Sequence, residues 1–294
     1  MRFLKDTHID FMKYRHVVYI LSLSVVVAGM IVFFIRGQAN FGIDFTGGTL
    51  VRYKFSQVVD TGAVRNSLRE ADLKGNIIQS YDGGKGVIIR TAGDKRKDIK
   101  EIIDNKFASY NPIAEEEITI GPIVGKMLKK QAILAITFAL LGILIYTAWR
   151  FKFVWGFSAV LMLFHDALFM VGMFALTRRE ISLSVIAAIL TVLGYSINDT
   201  IVIFDRIREN MKISRGKSLT EIINTSINQT LSRTIITAGT TLLPVLALLI
   251  LGGPVIRDFA FALTIGIIEG TYSSIYIASP LIIELSKLFK VKHR

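Results

Sequence analysis

Two charged residues inside long apolar stretches of the sequence are of types suited to proton transfer. Asp199 lies in segment 192–209, which reads VLGYSINDTIVIFDRIRE, and Arg233 lies in LSRTIITAGTT at the start of a later apolar stretch. A carboxylate in the hydrocarbon region of a bilayer costs roughly 2.5–3.5 kcal/mol. Such residues therefore usually face a bundle interior and form ion paths, proton relays or structural pairs.

Helical spacing groups further polar residues with these two. Asn198 precedes the acid, and Ser196, Asp199 and Thr200 share one helix face by i, i+3 and i+4 spacing. Arg233 lies in a stripe of threonines at helical spacing in the next apolar segment. Because consecutive spans run antiparallel with a rise of about 1.5 Å per residue, the acid and the arginine are expected at similar depth.

Each of these two residues also has a structural interpretation. An arginine near the end of a span often extends its side chain to the membrane interface, and Arg233 fits that role. Asp199 has no lysine or arginine on its own helix face, so a functional role is favoured over a purely structural hydrogen bond between helices.

Three more ionisable residues fall near the middle of apolar segments. His165 and Asp166 are adjacent in one segment, and Glu269 lies in GIIEGTYSS of another. His165 with Asp166 could be functional or could form only a structural pair, and Glu269 faces the same choice. The small residues around Glu269, two glycines and two serines, could instead serve only close helix packing.

The composition excludes several classes of chemistry. The chain has 294 residues, 52% of them hydrophobic, a formal net charge of +12 and no Cys, so no disulfide, thiolate nucleophile or cysteine metal site is available. No P-loop is present, because Gly216-Lys217-Ser218 has Met211 where the leading glycine belongs. No Ser/His/Asp arrangement and no histidine cluster emerges. We therefore expect no enzymatic activity, no metal and no cofactor other than protons.

Six runs of about twenty apolar residues are each long enough to cross a bilayer. The first run is longer than the roughly 7–15 apolar residues of a signal peptide, so it is predicted to be an uncleaved anchor at 17–35. The other five spans are predicted within 127–285. The runs are Val17–Ile35, Leu128–Trp149, Phe153–Leu176, Ile181–Phe204, Leu231–Leu251 and Phe259–Leu281.

Lysine and arginine in the short connections predict the orientation of the spans. They cluster in the N-terminus 1–16, the loop 205–230 and the C-terminus 286–294, which are all predicted to be cytoplasmic. The exceptions are Arg178–Arg179 and Arg257, which this topology places outside. The predicted location is the cytoplasmic membrane, with both termini inside.

Residues 36–126 then form an extracytoplasmic domain whose short alternating runs predict a ferredoxin-like β-α-β-β-α-β order. Its basic residues alternate with acids, which favours a solvated surface over a nucleic-acid patch. The predicted strands and helices, in order, are Thr49–Phe55, Thr61–Leu73, Asn76–Tyr81, Gly86–Thr91, Lys95–Phe107 and Glu117–Ile120, with Asp82-Gly83-Gly84 as a hairpin turn.

Several motifs together resemble the SecD/SecF family of protein-export membrane proteins, over nearly the whole chain and in order. They are FGIDFTGGTL at 41–50, His165-Asp166, VLGYSINDTIVIFDRIREN at 192–210, QTLSRTI at 229–235 and GTYSSIYIASP at 270–280. The family belongs to the resistance-nodulation-division superfamily, and its SecF members form half of a twelve-span bundle. Six spans agree with that half.

The resemblance implies a function. SecF pairs with SecD and assists movement of preproteins after the SecYEG channel, using the proton motive force. Asp199 and Arg233 match the residues that the family implicates in proton transport, together with an aspartate of SecD. Glu269 departs from the family pattern, so its acid is either an extra relay group or a partner for the other subunit. The glycines of the FGIDFTGG segment are expected to serve tight backbone geometry.

Two other functions remain as alternatives. The chain could be an assembly subunit that stabilises the channel complex without carrying protons, in which case neutral replacements of Asp199 would leave export intact. It could also be half of a small-molecule efflux transporter, although its single short outer domain argues against that.

Overall fold

The computed structural model describes residues 7–73, 76–214 and 216–290. As far as it is described, the chain divides into two compact units, Phe41–Ile133 and the combination of Met1–Asn40 with Leu134–Arg294. The elements of the described residues are α1 (Arg15–Arg36), α2 (Ile43–Thr46), β1 (Gly48–Lys54), α3 (Thr61–Glu70), β2 (Ile77–Tyr81), β3 (Gly86–Thr91), α4 (Arg96–Lys106), β4 (Ile113–Ile120), α5 (Pro122–Arg150), α6 (Phe153–Leu176), α7 (Leu183–Ile213), α8 (Leu219–Leu251), α9 (Pro254–Ser273) and α10 (Ser279–Leu288).

Six helical segments of the described chain are long and apolar enough to cross a membrane, which confirms the predicted number of spans. They are α1, α5, α6, α7, α8 and the combined segment from α9 to α10. Much of α6, α7 and the last segment is buried, whereas only 11% of the apolar window of α8 is. Helices α6 and α7 and the segment from α9 to α10 therefore form the centre of the bundle.

The predicted loop 205–230 is wrong, because most of it is helical. Helix α7 continues to Ile213, and α8 begins at Leu219. The hydroxyl of Ser218 accepts from the backbone N–H of Glu221, whose carboxylate accepts from the N–H of Ser218. This capping box starts a helix in polar sequence. Apolar runs report burial in lipid, so they miss helical turns that extend beyond it.

The last span is also less regular than the continuous segment Phe259–Leu281 that was predicted. Helix α9 ends at Ser273, and a π-helical turn covers Ser274–Ala278 before α10 begins. Pro280 has no backbone N–H to continue the ordinary helical ladder. The hydroxyl of Ser279 donates instead to the carbonyl of Ser274 at 2.8 Å. Single π turns of this kind occur frequently at functional sites.

The unit Phe41–Ile133 contains a four-stranded antiparallel sheet in the order β2-β3-β1-β4. With α3 and α4 between the strands, this confirms the predicted ferredoxin-like arrangement. The carboxylate of Asp60 caps the start of α3 by accepting from the N–H of Gly62. Apolar side chains of the sheet and of both helices form one core, including Val51, Ile89 and Ile103.

Strand β4 begins four residues earlier than the predicted Glu117–Ile120. Its first half, which reads IAEE, has no alternating pattern, so the side chains gave no sign of a strand. The backbone pairs with β1 nonetheless, with a register shift at Arg52. The guanidinium of Arg52 lies 3.1 Å from the carboxylate of Glu116 across the strands.

Gly47 and Gly48 have the tight geometry expected of the FGIDFTGG segment. Their φ angles are +73° and +122°, which L side chains rarely adopt. A Cβ on Gly48 would lie 2.4 Å from the carbonyl oxygen of Thr91, so no side chain fits there. Gly42, by contrast, has a φ of −69°, which any residue can adopt.

The boundary of the outer unit differs from the predicted 36–126. Asn40 groups with the helices, because its side-chain amide donates to the carbonyls of Phe33 and Gly37 at 2.6 and 2.8 Å. Its own carbonyl accepts from the N–H of Ile181 at 2.7 Å. These bonds attach the end of α1 to the segment before α7.

Candidate functional site

Asp199 lies inside the bundle on α7. Its side chain is 2% exposed, and its Oδ2 has no hydrogen-bond partner among the described residues. An ionised carboxylate in such a place is costly unless a cation or hydrogen bonds compensate it. The arrangement therefore favours either a proton on this group or the approach of a cation.

Arg233 on α8 is close enough to Asp199 to act electrostatically on its carboxylate. The acid lies 14 residues before the end of α7, and the arginine lies 14 residues after the beginning of α8. At about 1.5 Å per residue, both are roughly 21 Å from the connection between the two helices. Within 7–73, 76–214 and 216–290, however, no ion pair or hydrogen bond joins them, and Arg233 is exposed on the surface of the bundle.

The neighbours of Asp199 on α7 point in different directions. Asn198 is exposed, so it does not belong to the buried network. Thr200 and Ser196 are buried, as their spacing with the acid suggests. The Thr200 hydroxyl lies 2.9 Å from the Ser274 hydroxyl on the π-helical turn. The α7 face that carries Asp199 is thereby tied to the last span.

A second polar site surrounds Asp166 on α6. This aspartate is fully buried, and its Oδ2 accepts from the hydroxyl of Ser196 on α7 at 2.7 Å and from that of Ser273 on α9 at 3.0 Å. One carboxylate thus joins three helices. Buried polar groups that are hydrogen-bonded in this way hold helices in one arrangement.

His165 extends this site towards α1. Its Nε2 lies 2.7 Å from the hydroxyl of Ser22, which also hydrogen-bonds the phenol of Tyr272. Its Nδ1 lies 3.3 Å from Oδ1 of Asp166 and 3.3 Å from Oε1 of Glu269. The structure therefore brings Glu269 to the adjacent pair His165 and Asp166, from which it is far apart in the sequence.

Glu269 on α9 completes this second site. Its side chain is 1% exposed, and neither carboxylate oxygen has a hydrogen-bond partner in the part of the chain that is described. Ligand atoms of His165, Asp166 and Glu269 all lie within 4.8 Å of one another. Two carboxylates beside one imidazole can share a proton, and this spacing also suits a small cation.

Close contact between α7 and α9 surrounds Glu269. A Cβ on Gly266 would lie 2.4 Å from a methyl of Val192, and a Cβ on Gly270 would lie 2.9 Å from Cβ of Ser196. The glycines therefore serve helix packing, as one interpretation of the sequence proposed. The acid and the packing contact occur together, so the two interpretations do not exclude each other.

Sequence reasoning missed two members of the second site. The hydroxyl of Ser22 hydrogen-bonds both His165 and Tyr272, although Ser22 and Tyr272 are 250 residues apart in the sequence. A serine in the apolar run LSLSVVVAG was the only available signal, and serine is common in membrane helices.

Two family profiles match this sequence. The profile described as protein export membrane protein SecD/SecF, C-terminal, matches residues 99–288. The profile described as SecD/SecF GG motif matches residues 38–57, which contain Gly47 and Gly48. The two together cover most of the chain.

Curated relatives are similar over nearly their whole length. The protein translocase subunit SecF of Thermodesulfovibrio yellowstonii is 40% identical over 299 residues, covering 99% of this chain and 99% of the relative. The subunit of the same name from Pseudomonas aeruginosa is 40% identical over 286 residues, covering 96% of this chain and 93% of the relative.

This chain is also similar to part of two solved SecDF structures, whose chains are longer. The crystal structure of SecDF from Thermus thermophilus, described as a translocon-associated membrane protein, matches with a TM-score of 0.88 and 38% identity. SecDF in a super-membrane-facing form matches with a TM-score of 0.73 and 38% identity. These matches cover 96% and 98% of this chain but only 39% and 40% of the SecDF chains.

Proposed function

This chain belongs to the SecD/SecF family of protein export membrane proteins, and we propose that it assists protein translocation by using the proton motive force. Its near full-length similarity to translocase subunits supports the translocation part. One observation carries the proton part: Asp199 is buried without an ion pair to any described residue, and the exposed Arg233 acts on its carboxylate electrostatically. The coupling ion is the proton, and the subunit needs no cofactor.

The proposed mechanism alternates the charge of Asp199. When the carboxyl is protonated, it is stable in its buried place and Arg233 stays at the bundle surface. When the proton leaves, the carboxylate needs a cation, and the long arginine side chain can supply one. The two states favour different positions of α8 relative to α7, so protonation shifts the population between two packings of the bundle.

The membrane potential supplies enough free energy for this shift. One elementary charge moved across about 100 mV releases roughly 2.3 kcal/mol. A few protons per cycle therefore supply several kcal/mol, which is comparable to the difference needed to reverse a two-state population.

In this proposal, a second subunit completes the site around Asp199 and Arg233. Arg233 and Asn198 are both exposed on this chain at a depth where the surrounding helix surface is apolar. Polar groups facing lipid at that depth are costly, so another polar surface is expected to cover them. We propose that SecD, the other half of the twelve-span bundle, provides that surface and its own acid.

Both termini are proposed to be cytoplasmic. The N-terminal segment and the α7–α8 connection lie on the same side of the bundle, because the side-chain amide oxygens of Asn228 and Asn224 accept from the N–H groups of Ile9 and Phe11 at 2.9 and 2.8 Å. Arg206, Arg208 and Lys212 at the end of α7 lie on this side, and an excess of lysine and arginine is typical of the cytoplasmic side.

The outer domain is proposed to contact the translocating preprotein near the exit of the SecYEG channel. Strand β4 is at the edge of the sheet and exposes Ile113 and Ile118. An exposed edge with apolar side chains can add an extended segment of another chain. A photocrosslinking scan of residues 40–120 tests this part of the proposal. If no position captures a translocating chain, this part is wrong.

Protein export into vesicles that contain this chain and SecD tests the proton part. Asp199→Asn and Arg233→Met are compared with the unsubstituted chain while a proton gradient is imposed. Glu209→Gln and Arg206→Met serve as matched controls, because this ion pair lies on the polar end of α7, away from the site. Assembly with SecD is measured in the same preparations.

We expect the two site variants to assemble and to lose the gradient-dependent part of export, whereas the controls keep it. If Asp199→Asn and Arg233→Met retain gradient-dependent export, the proton proposal is wrong. The chain would then be an assembly subunit that stabilises the complex without carrying protons.

A further inference from the structure

A cavity with excess positive charge lies where α5 ends and α6 begins, beside the polar end of α7. Its volume is about 530 Å³, within the range of small-ligand sites. Four of the seven lining residues are cationic, and the remainder are aromatic or apolar. The lining residues are Arg150, Phe151, Lys152, Trp155, Arg208, Met211 and Lys212.

One carboxylate holds two of the cations without neutralising the site. Asp205 lies 3.0 Å from the guanidinium of Arg150 and 2.9 Å from that of Arg208. The two exposed lysines bring the lining to four positive charges against this single negative one. The surplus suits an anionic ligand rather than a neutral one.

The two guanidinium groups are also held in position by an aromatic ring. Their central carbons lie 5.7 and 5.5 Å from the centre of the Phe151 ring, for Arg150 and Arg208 respectively. Phe151 in turn stacks on Trp155 at 5.9 Å with an interplanar angle of 19°. Fixed guanidinium forks match the oxygen geometry of a phosphate group, because less side-chain entropy is lost on binding.

Trp155 offers a further donor to such a ligand. Its side chain is 3% exposed, yet its indole N–H has no hydrogen-bond partner in the described residues. Buried tryptophan N–H groups usually find an acceptor. A ligand oxygen within the cavity would provide one.

The position of the cavity indicates where the phosphate comes from. It lies at the end of two membrane spans, next to the aromatic side chains of Trp149 and Phe153, which are exposed on the outside of the bundle. Exposed aromatic residues of this kind lie at the headgroup level of a bilayer. Basic pockets between membrane helices bind anionic headgroups.

We propose that this cavity binds the phosphate group of an anionic phospholipid from the adjacent leaflet, with the guanidinium groups of Arg150 and Arg208 and the two lysines as its cationic partners. The lipid would fix α5 against α7 at one end of the bundle. This inference is independent of proton coupling, and its test needs no translocation activity.

Quenching of tryptophan fluorescence by brominated lipids tests the proposal on the full chain. The sequence has two tryptophans, so Trp149→Phe leaves Trp155 as the only tryptophan, and excitation at the red edge of the tryptophan band avoids the tyrosines. The chain is reconstituted in phosphatidylcholine vesicles with increasing fractions of either brominated phosphatidylglycerol or brominated phosphatidylcholine. The double variant Lys152→Gln/Lys212→Gln weakens the site while leaving the ion pairs of Asp205 in place. Arg206→Gln removes one charge from the same helix outside the cavity.

We expect brominated phosphatidylglycerol to quench Trp155 at a fraction roughly fivefold to tenfold lower than brominated phosphatidylcholine does. The ratio of the two fractions should fall towards one in the double lysine variant and stay unchanged in Arg206→Gln. Equal quenching by both lipids in the Trp149→Phe chain would overturn the proposal, as would an equal loss of preference in the control. If brominated phosphatidylglycerol quenches no better than brominated phosphatidylcholine while inorganic phosphate changes the emission of Trp155, the ligand is a soluble phosphate, and the assignment to lipid is wrong.

Discussion

The two polar sites in the membrane bundle differ in how completely this chain encloses them. Around Asp166 the site is closed, because the carboxylate accepts hydroxyl hydrogen bonds from α7 and α9 and contacts His165. Around Asp199 the site is open, because one carboxylate oxygen lacks a partner and Arg233 is exposed.

This difference separates holding helices together from changing their positions. The hydroxyl hydrogen bonds accepted by Asp166 stabilise one arrangement of α6, α7 and α9, and these helices resist leaving it. An acid without a fixed partner can alternate between arrangements at little cost, provided that a proton or a second chain completes it. The proposed function therefore places coupling at the open site, whereas the hydrogen bonds of the closed site align α6, α7 and α9.

Removing the carboxylate of Asp166 should have the largest effect on stability. Asp166→Ala leaves the hydroxyls of Ser196 and Ser273 without their acceptor in the bundle interior, and we expect a loss of about 2–4 kcal/mol in the free energy of unfolding. Denaturant unfolding of the full chain in detergent micelles measures this. The control is Asp166→Asn, whose amide oxygen can still accept and which should lose less. If both variants unfold like the unsubstituted chain, the closed site does not hold the helices.

Separating α1 from α6 should open the closed site without touching its ionisable groups. A Cβ on Gly29 would lie 2.5 Å from Cα of Gly172, so Gly29→Ala must displace α1 and with it Ser22. We expect a loss of about 1–3 kcal/mol in unfolding free energy. Gly142→Ala is the matched control, because nothing lies within 4 Å of the added methyl there, and it should stabilise slightly. Equal results for the two variants would mean that α1 packs loosely.

Neutralising Glu269 should separate the two sites in function. Among the described residues neither carboxylate oxygen has a hydrogen bond, although Oε1 lies 3.3 Å from Nδ1 of His165, so Glu269→Gln should change the unfolding free energy by no more than about 1 kcal/mol. Gradient-dependent export should largely persist, in contrast to the result expected for Asp199→Asn. The export assay in vesicles measures this, with His165→Gln alongside it. A loss of export as complete as that of Asp199→Asn would place proton transfer in the closed site as well.

The smallest effect on stability is expected at the open site. Asp199→Asn removes a carboxylate whose Oδ2 has no hydrogen bond to lose, so the unfolding free energy of the chain alone should change by less than about 0.5 kcal/mol. The same unfolding measurement compares it directly with Asp166→Asn. A larger loss for Asp199→Asn than for Asp166→Asn would reverse the comparison between the two sites.

Local sequence patterns predicted the secondary structure best where polarity and turn residues mark both ends of an element. Strand β3 and helix α6 have the predicted bounds, Gly86–Thr91 and Phe153–Leu176. The patterns failed where an element continues through polar sequence, as in the first half of β4 and the extensions of α7 and α8. There the backbone is held by strand pairing or by contacts such as the 2.8 Å hydrogen bond from Asn210 to Ser226, which no local pattern shows.

The sequence by itself determined that six segments are apolar enough to cross a membrane, that a β-α-β-β-α-β unit lies between the first two, and that Asp199, Arg233, Asp166 and Glu269 are ionisable residues in apolar surroundings. These properties depend on residue types and local spacing. Only the tertiary structure decided that Glu269 joins His165 and Asp166, and that Arg233 lies at the surface without an ion pair to the described residues. Such relations depend on the rotation and depth of each helix relative to its neighbours, and contacts between residues far apart in the sequence set both.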